Sequence, residues 1–525
     1  MPADPEIPRG KVYLVGAGPG DPGLITLRGV ECLLRADLVL YDYLVNPQIL
    51  DHVRATAELV CLGRHGRGRI MSPSEVNERM IRGAQAGQIV VRLKSGDPLI
   101  FARAAEERQA LAAAEVPFEI VPGITVALAA GSYAGIALTD RDAASAVALV
   151  TGHEDEEKRS QPLDYVALAA FPGTLVFYMG VTSAPHWTKA LMEAGKAADT
   201  PAAIVRRCSW PDQVTIRCSL ARVADELATS KMRPPVIVIV GDVAAAEPAA
   251  RWFTDRPLFG QRVLVTRPAG QAGDLRSRLA DLGAEVILQP AIEITDPADW
   301  SPVDAALVRM NKNGTNQTKP DNYDWLVFSS ANGVRYLLDR LLAIGGDTRW
   351  LGSVNLAAIG PGTADELARY HLRADLVPRE FRAESLAGEL AANAAGTRFL
   401  LARASRGREV LADELRAAGA TVDQIVVYTS RDVPHAEGAV VELLAAGRID
   451  WITVTSSAIA RSLAAMFGQS TGQRLAAAKL ASISPVTSAT LRELGFEPAV
   501  EATEYTMEGL VKAMLSFKSV SGTSG

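Results

Sequence analysis

Gly16-Ala-Gly-Pro-Gly-Asp-Pro-Gly23 follows the apolar run Val12-Tyr-Leu-Val15. A glycine-rich turn at the end of a strand is a common opening of nucleotide-binding α/β domains. Gly18, Gly20 and Gly23 satisfy G-x-G-x-x-G, a match that is weak when it stands alone. Leu24–Leu27 then reads as a helix start and Ala36–Asp42 as a second strand, with Asp42 about 20 residues past the turn, where a dinucleotide fold keeps its ribose-binding acid. Pro19 and Pro22 weigh against that reading. A pyrophosphate at a helix N-terminus needs backbone N–H donors, and proline has none. From the turn itself three readings stay open: a dinucleotide, another nucleotide-like ligand, or a purely structural turn.

The rest of the chain narrows the field. With 525 residues it is too long for one hydrophobic core, which predicts two to four domains. Its 48% hydrophobic and 22% charged residues are the mix of a soluble globular protein. A net charge of −6 argues against a nucleic-acid partner. Cys32, Cys61, Cys208 and Cys218 are scattered, with no C-x-x-C, and the six histidines do not cluster. This predicts buried thiols in a reducing cytoplasm and no metal site. The first residues lack the apolar core of a secretory signal. Val121–Leu138, the least polar stretch, is broken by Pro122, Gly123, Gly131 and Gly135, so it reads as a turn and a buried helix, and no membrane partner is expected.

Strand-like and helix-like segments alternate almost throughout, which predicts α/β architecture. Candidate strands include Ile89–Leu93, Ala146–Thr151, Thr174–Tyr178, Ala202–Val205 and Val236–Val240. The stretch after Val243, rich in small residues and proline, predicts the main boundary near residues 244 to 258. The second half repeats itself. Arg262-Val-Leu-Val-Thr-Arg267 is echoed by Arg398-Phe-Leu-Leu-Ala-Arg403, and Gly283-Ala-Glu-Val286 by Gly419-Ala-Thr-Val422. DWLVFSS from Asp324 is echoed by DWITVTSS from Asp450, and LAAIGPGT from Leu356 by LASISPVT from Leu480. A duplicated α/β unit with two lobes and a cleft follows, although a crossing strand can keep the lobes from dividing at the repeat boundary. Residues 311–320 and the tail after Ser516 read as flexible polar segments.

In the first half, VVRLKSGDPLIF (90–101), VPGITVALAAGSYAGIALT (121–139), TLVFYMG (174–180) and TPAAIVRRCSWPDQ (200–213) each end a strand with a glycine or proline turn. Such turns place backbone at the ligand-binding edge of an α/β sheet. GAGPGDP, SGDP, PGIT, YMG and the TP strand, in that order over residues 10 to 245, resemble the tetrapyrrole methylases, and within them uroporphyrinogen-III C-methyltransferase. The resemblance implies a two-lobed methylase fold and S-adenosylmethionine as cofactor, a sulfonium cation with no phosphate, to which the loop prolines are no obstacle. It places the cofactor against Pro19, Ser95, Gly96, Asp97, Ile100, Thr125, Val126, Met179 and the backbone at Cys208. Without it, Met179 would read as a core methionine. It also implies a proton acceptor at Asp42 and a donor at Arg64, where the family usually has lysine. Arginine stays protonated and is a poor donor. Ser95 and Cys208 stand where the family has glycine, and Arg69 and Pro73 replace its usual histidine and glutamine. The implied substrate carries eight carboxylates, and Arg67 and Arg69 belong to a dense basic loop suited to them, with Arg92, Arg103 and Arg141 near the motifs.

Residues 258 to 517 resemble uroporphyrinogen-III synthase through VLVTRP, VFSSANGV, AIGPGTA, VVYTS, VTSSA and SPVTSATL. The resemblance implies cofactor-free cyclisation of hydroxymethylbilane with inversion of ring D, with Tyr428 assisting loss of the hydroxyl. Arg267, Ser330, Asn332, Thr363, Arg403, Ser456 and Thr487 are candidates for holding carboxylates. Strand-end serines and threonines also cap helices routinely.

The expected organisation is a methylase over 8–245, a linker over 246–257, a synthase over 258–517 and a tail over 518–525. The expected activity is bifunctional: uroporphyrinogen III is made by the second half and methylated twice to precorrin-2 by the first, with a homodimer through the methylase half. Two alternatives stay open: a methylase of another tetrapyrrole or of RNA, and a non-catalytic tetrapyrrole-binding module in the second half.

Overall fold

Along β1 (Lys11–Gly16), Val12 and Leu14 enter one apolar cluster with Leu38, Leu40 and Val90, while Tyr13 and Val15 enter a second with Val39, Val91 and Leu93. Both faces of this sheet are therefore covered, which is why its strands are almost wholly apolar. The structure, a computed structural model, describes residues 10–63, 70–153, 162–246, 251–311, 322–352, 354–407, 409–467, 475 and 477–517. It divides into two compact units, one built from the chain up to Arg262 with Leu279–Glu285, the other from Val263–Arg278 and from Val286 onward.

In the first unit, β2 (Leu38–Tyr41), β3 (Glu58–Cys61), β4 (Ile89–Lys94) and β5 (Phe118–Val121) join β1 in a parallel sheet of order β3-β2-β4-β1-β5. Every turn that follows a strand therefore emerges at one edge. The helix Val126–Tyr133 leads to a mixed sheet of β6 (Val147–Thr151), β7 (Thr174–Tyr178), β8 (Pro201–Arg206), β9 (Val214–Ser219) and β10 (Val236–Val240), in the order β6-β7-β10-β8-β9. The five candidate strands named above correspond to β4, β6, β7, β8 and β10, within a residue or two at their ends.

The helix expected at Leu24 begins instead at Leu27, where the Thr26 hydroxyl accepts from Gly29 N–H. Between turn and helix the chain makes a short 3-10 turn, Pro22–Leu24, capped by Asp21, whose Oδ1 accepts from Gly23 N–H. Proline suits that first position because its missing N–H has no intrahelical partner to lose.

The second unit has two sheets. β11 (Arg262–Val265), β12 (Glu285–Leu288), β18 (Trp451–Val454), β19 (Lys479–Ser482) and β20 (Val500–Glu501) pair in the order β12-β11-β18-β19-β20. β13 (Ile292–Thr295), β14 (Trp325–Phe328), β15 (Asn355–Ala358), β16 (Arg398–Ala404) and β17 (Thr421–Asp432) pair in the order β13-β17-β16-β14-β15. The repeat accounts for both orders. β11, β12, β18 and β19 hold the same places in one sheet as β16, β17, β14 and β15 in the other. Each lobe thus takes two strands from the first copy of the repeat and two from the second, and the chain passes between lobes after β12 and after β17.

Candidate functional site

Three turns meet at the ligand-binding edge of the first sheet. Gly18 and Gly96 exchange both backbone hydrogen bonds, 3.2 Å from Gly18 N to Gly96 O and 2.8 Å from Gly96 N to Gly18 O. Asp97 Oδ2 accepts from Gly123 N–H at 3.0 Å, which ties the SGDP turn to PGIT. A Cβ on Gly16 would stand 2.5 Å from Gly123 Cα and 2.7 Å from Gly96 O, so glycine is the side chain that permits this approach. Gly96 adopts φ +72°, the left-handed region that glycine enters without steric cost.

These turns wall a cavity of about 740 Å³. All nine residues expected to touch the cofactor line it: Pro19, Ser95, Gly96, Asp97, Ile100, Thr125, Val126, Met179 and Cys208. Asp42 lines it too, as do Arg92, Lys94, Arg103 and Glu107. Arg64, Arg67 and Arg69 lie outside the described residues. Phe101, Arg103 and Met179, which also line the cavity, have φ of 51°, 55° and 52°. Non-glycine residues in that region cluster at functional sites. The Tyr178 hydroxyl joins the Thr125 hydroxyl at 2.7 Å and accepts from Ala127 N–H at 3.1 Å, holding the first turn of the helix Val126–Tyr133 against the cavity. Burial pushes the Cys208 thiol up to about 12, so it stays protonated at neutral pH and only its backbone is suited to polar contact.

A charged network also lines the cavity. Arg92 Nη2 donates to Asp42 Oδ1 at 2.6 Å and Arg92 Nε to Glu107 Oε1 at 3.0 Å; Lys94 Nζ donates to the same Glu107 oxygen at 2.7 Å. Asp42 Oδ2 has a long contact, 3.4 Å, from Ser95 N–H, and Glu107 Oε2 finds no hydrogen-bond partner among the described residues. Arg92, Lys94 and Glu107 are all buried. Burial, with Arg92 beside it, lowers the Lys94 pKa. Two cations face two carboxylates, so the charges balance, and losing any one group alone leaves an unmatched charge. Sequence reasoning misses Lys94 and Glu107. The one signal it offers is a pair of cations at alternate positions, Arg92 and Lys94, on an otherwise apolar strand.

In the second unit Tyr428 is buried on β17, its hydroxyl 3.1 Å from the Ser330 hydroxyl and its ring 5.6 Å from that of Tyr336. Ser330 also caps the helix Ala331–Ala343 by accepting from Gly333 N–H. A register shift between Arg403 and Ala404 on β16 sets Ala404 opposite Tyr428. Gln271 Nε2 donates to Asn332 Oδ1 at 2.6 Å, linking the two lobes beside Arg267. Burial lowers the Arg267 pKa, and its guanidinium meets neutral partners, Gln271 Oε1 at 3.3 Å and Met507 Sδ at 2.8 Å. Ser456 accepts from Ile459 N–H at the start of the helix Ser457–Phe467. Arg403 is paired with Glu409 and Gln424, and Thr363 and Thr487 are buried, with Thr487 Oγ1 3.1 Å from Ser484 Oγ.

Known proteins resemble both halves of this chain in sequence. The family model of the Tetrapyrrole (Corrin/Porphyrin) Methylases matches residues 11–224, and that of uroporphyrinogen-III synthase HemD matches residues 273–512. The porphyrin biosynthesis protein HemD of Ruminiclostridium josui is 33% identical over 449 residues, covering 85% of this chain and 87% of that protein. The S-adenosyl-L-methionine-dependent uroporphyrinogen III methyltransferase of Methanosarcina barkeri is 44% identical over 234 residues, 45% of this chain and 92% of that protein. The siroheme synthase of Zymomonas mobilis is 43% identical over 248 residues, and the match spans 52% of its length, about half. The chain is a bifunctional enzyme of tetrapyrrole biosynthesis, with S-adenosylmethionine serving its methylase half. It belongs to the family of the porphyrin biosynthesis protein HemD, here a tetrapyrrole methylase followed by a uroporphyrinogen-III synthase. Among the described residues no helix is long and apolar enough to cross a membrane.

Proposed function

We propose that the methylase, residues 8–245, adds two methyl groups to uroporphyrinogen III to give precorrin-2, and that the synthase, residues 258–517, makes that substrate from hydroxymethylbilane. The observation that carries the first part is the single cavity that takes in all nine cofactor candidates together with Asp42. Its volume, about 740 Å³, falls in the ordinary range of small-molecule sites. Its turns present backbone and apolar side chains, which suits an uncharged adenine and a sulfonium. When bound, S-adenosylmethionine supplies a methyl on positively charged sulfur, which departs as a neutral thioether. A pyrrole carbon is already nucleophilic, so the protein's main task is alignment. The new carbon–methyl bond leaves a cationic ring that sheds its N–H proton. Asp42 receives it on Oδ2 while Arg92 holds Oδ1, a general-base role. Arg64 with Arg67 and Arg69, together with Arg103, pairs with the substrate carboxylates.

In the synthase, Arg267, with neutral hydrogen-bond partners, takes a substrate carboxylate together with Asn332, Ser330 and Ser456. The turns at Thr363 and Thr487 contribute backbone N–H groups, and Arg403 fixes the end of β16. Tyr428 assists departure of the hydroxyl as water, and no cofactor takes part. The protein acts in the cytoplasm as a homodimer through its methylase half, a state that sedimentation tests. Uroporphyrinogen III supplied with methyl-labelled S-adenosylmethionine tests the methylase reading. Two labels per macrocycle are expected, and an unlabelled macrocycle contradicts it.

A further inference from the structure

Residues 251–261, RWFTDRPLFGQ, run from the linker into the first residues assigned to the synthase, all within the first compact unit. A connector that only needs reach is served by small or polar residues, yet this one carries Trp252, Phe253 and Phe259. They pack against the rest of the first unit, Trp252 from its surface, where it is 48% exposed. The Tyr133 ring lies edge-on to Trp252 at 5.0 Å and to Phe253 at 4.6 Å, and Phe259 closes on Phe253 at 5.3 Å. Phe253 is 3% exposed. Trp252 Nε1 donates to Ser132 O at 2.9 Å, and the Arg256 guanidinium lies 4.9 Å from the Trp252 ring.

Two routes lead from this strap to the turn that opens the chain. In the first, the Tyr133 hydroxyl donates to Asp21 Oδ2 at 2.8 Å, and Asp21 N–H donates to Ser209 Oγ at 3.0 Å. In the second, Gly260 N–H donates to Pro211 O at 3.0 Å, next to Trp210, whose Nε1 donates to Pro19 O at 3.2 Å. Trp210 closes on Gly20, where a Cβ would stand 2.2 Å from its Nε1. Pro19 and Trp210 both line the cavity.

We propose that the strap is a buttress of the methyl-donor pocket, with Tyr133, Trp252 and Phe253 as positioning residues that hold the Pro19–Asp21 turn in its binding shape. This rests on the assignment of the cavity to S-adenosylmethionine. None of the three side chains lines the cavity, so their effect passes through Asp21 and Trp210. Loosening the turn weakens donor binding because part of the binding free energy then goes into ordering it. Asp42 and Arg92, joined by their own bond of 2.6 Å, lie on neither route, so that bond is expected to keep its geometry.

The test is calorimetric titration of the full-length protein with S-adenosylhomocysteine, alongside methylation kinetics. The double variant Trp252→Ala/Phe253→Ala is expected to raise Kd and the KM for S-adenosylmethionine together by about 10-fold, with kcat within about 2-fold. Trp252→Phe, which keeps an aromatic ring on Tyr133, is expected to restore most of the affinity. Tyr133→Phe keeps the packing and deletes the bond to Asp21, so it decides the matter even where the double variant fails to fold; about 3-fold weaker binding is expected. A Kd within error of wild type for Tyr133→Phe, or a fall in kcat with unchanged KM, overturns the buttress. Ile100→Trp, which fills the pocket itself, separates this from the pocket assignment. Lost binding there with wild-type Kd in the strap variants overturns the buttress alone, and unchanged binding there overturns both.

Discussion

Arg92 holds Asp42 through one nitrogen, 2.6 Å from Nη2 to Oδ1, and is itself held by Glu107 through another, 3.0 Å from Nε to Oε1. The carboxylate assigned the proton-acceptor role therefore depends for its orientation on a buried group across the wall. With Lys94 also on Glu107, the wall is neutral as a set of four. Removing one anion leaves a buried cation without a counter-charge, which costs about 3 kcal/mol. Glu107→Gln is expected to lower the unfolding free energy of the methylase by that amount in denaturant titration. Adding Lys94→Met restores neutrality and recovers most of the loss; additive losses in the double variant would contradict the arrangement.

Asp42 itself tests the chemistry. Asp42→Asn preserves shape and keeps one oxygen to accept from Arg92, but replaces the other with an amide N–H donor that cannot accept the ring proton. Methylation kcat is expected to fall by about 100-fold or more. S-adenosylhomocysteine affinity and hydroxymethylbilane cyclisation should stay at wild-type values. A loss confined to cofactor affinity would move Asp42 out of the proton-transfer role.

Tyr428 and Ser330 share a hydrogen bond at 3.1 Å in the second unit. Tyr428→Phe deletes the hydroxyl and leaves the ring against Tyr336. Cyclisation kcat is expected to drop at least about 10-fold, while methylation of supplied uroporphyrinogen III is unchanged. A synthase as fast as wild type would show that the hydroxyl takes no part.

Glu119 on β5 accepts from Arg28 Nε at 2.9 Å and from Lys11 Nζ at 2.8 Å. The Arg28 guanidinium, with Lys11 beside it, holds its carboxyl down at about 2, against an ordinary value of 4.5. A depressed carboxyl stabilises the fold in full above its unfolded pKa and loses that contribution as pH falls through the folded one. The group is partly exposed, so Glu119→Gln is expected to cost only about 1 kcal/mol at pH 7. The gap from wild type narrows below pH 4.5 and closes towards pH 2. A gap independent of pH would place the effect in packing.

The strands of the fold are largely legible in the amino-acid sequence. The apolar runs Val12–Val15 and Val236–Val240 are strands because they are buried on both faces, and burial on both faces leaves an unbroken pattern in sequence. The four echoed motifs of the second half occupy equivalent strands, but their distribution between lobes is not readable from them. A repeat specifies which strands are alike, whereas pairing across more than a hundred residues is decided by packing. The prolines at 19 and 22 point away from a phosphate cradle, and a 3-10 turn does separate the glycines from the helix. Trp210, Tyr133 and Glu107 reach the cavity or its supports from distant segments, and nothing in their local sequence marks them. Arg403 reads in sequence as a candidate for holding a carboxylate, and in the structure Glu409 and Gln424 engage it.

The most direct measurement is anaerobic incubation of the purified protein with hydroxymethylbilane and S-adenosylmethionine, with product mass and isomer read together. The account predicts a type III macrocycle carrying two added methyl groups. An unmethylated ring of the spontaneous type I isomer would contradict it.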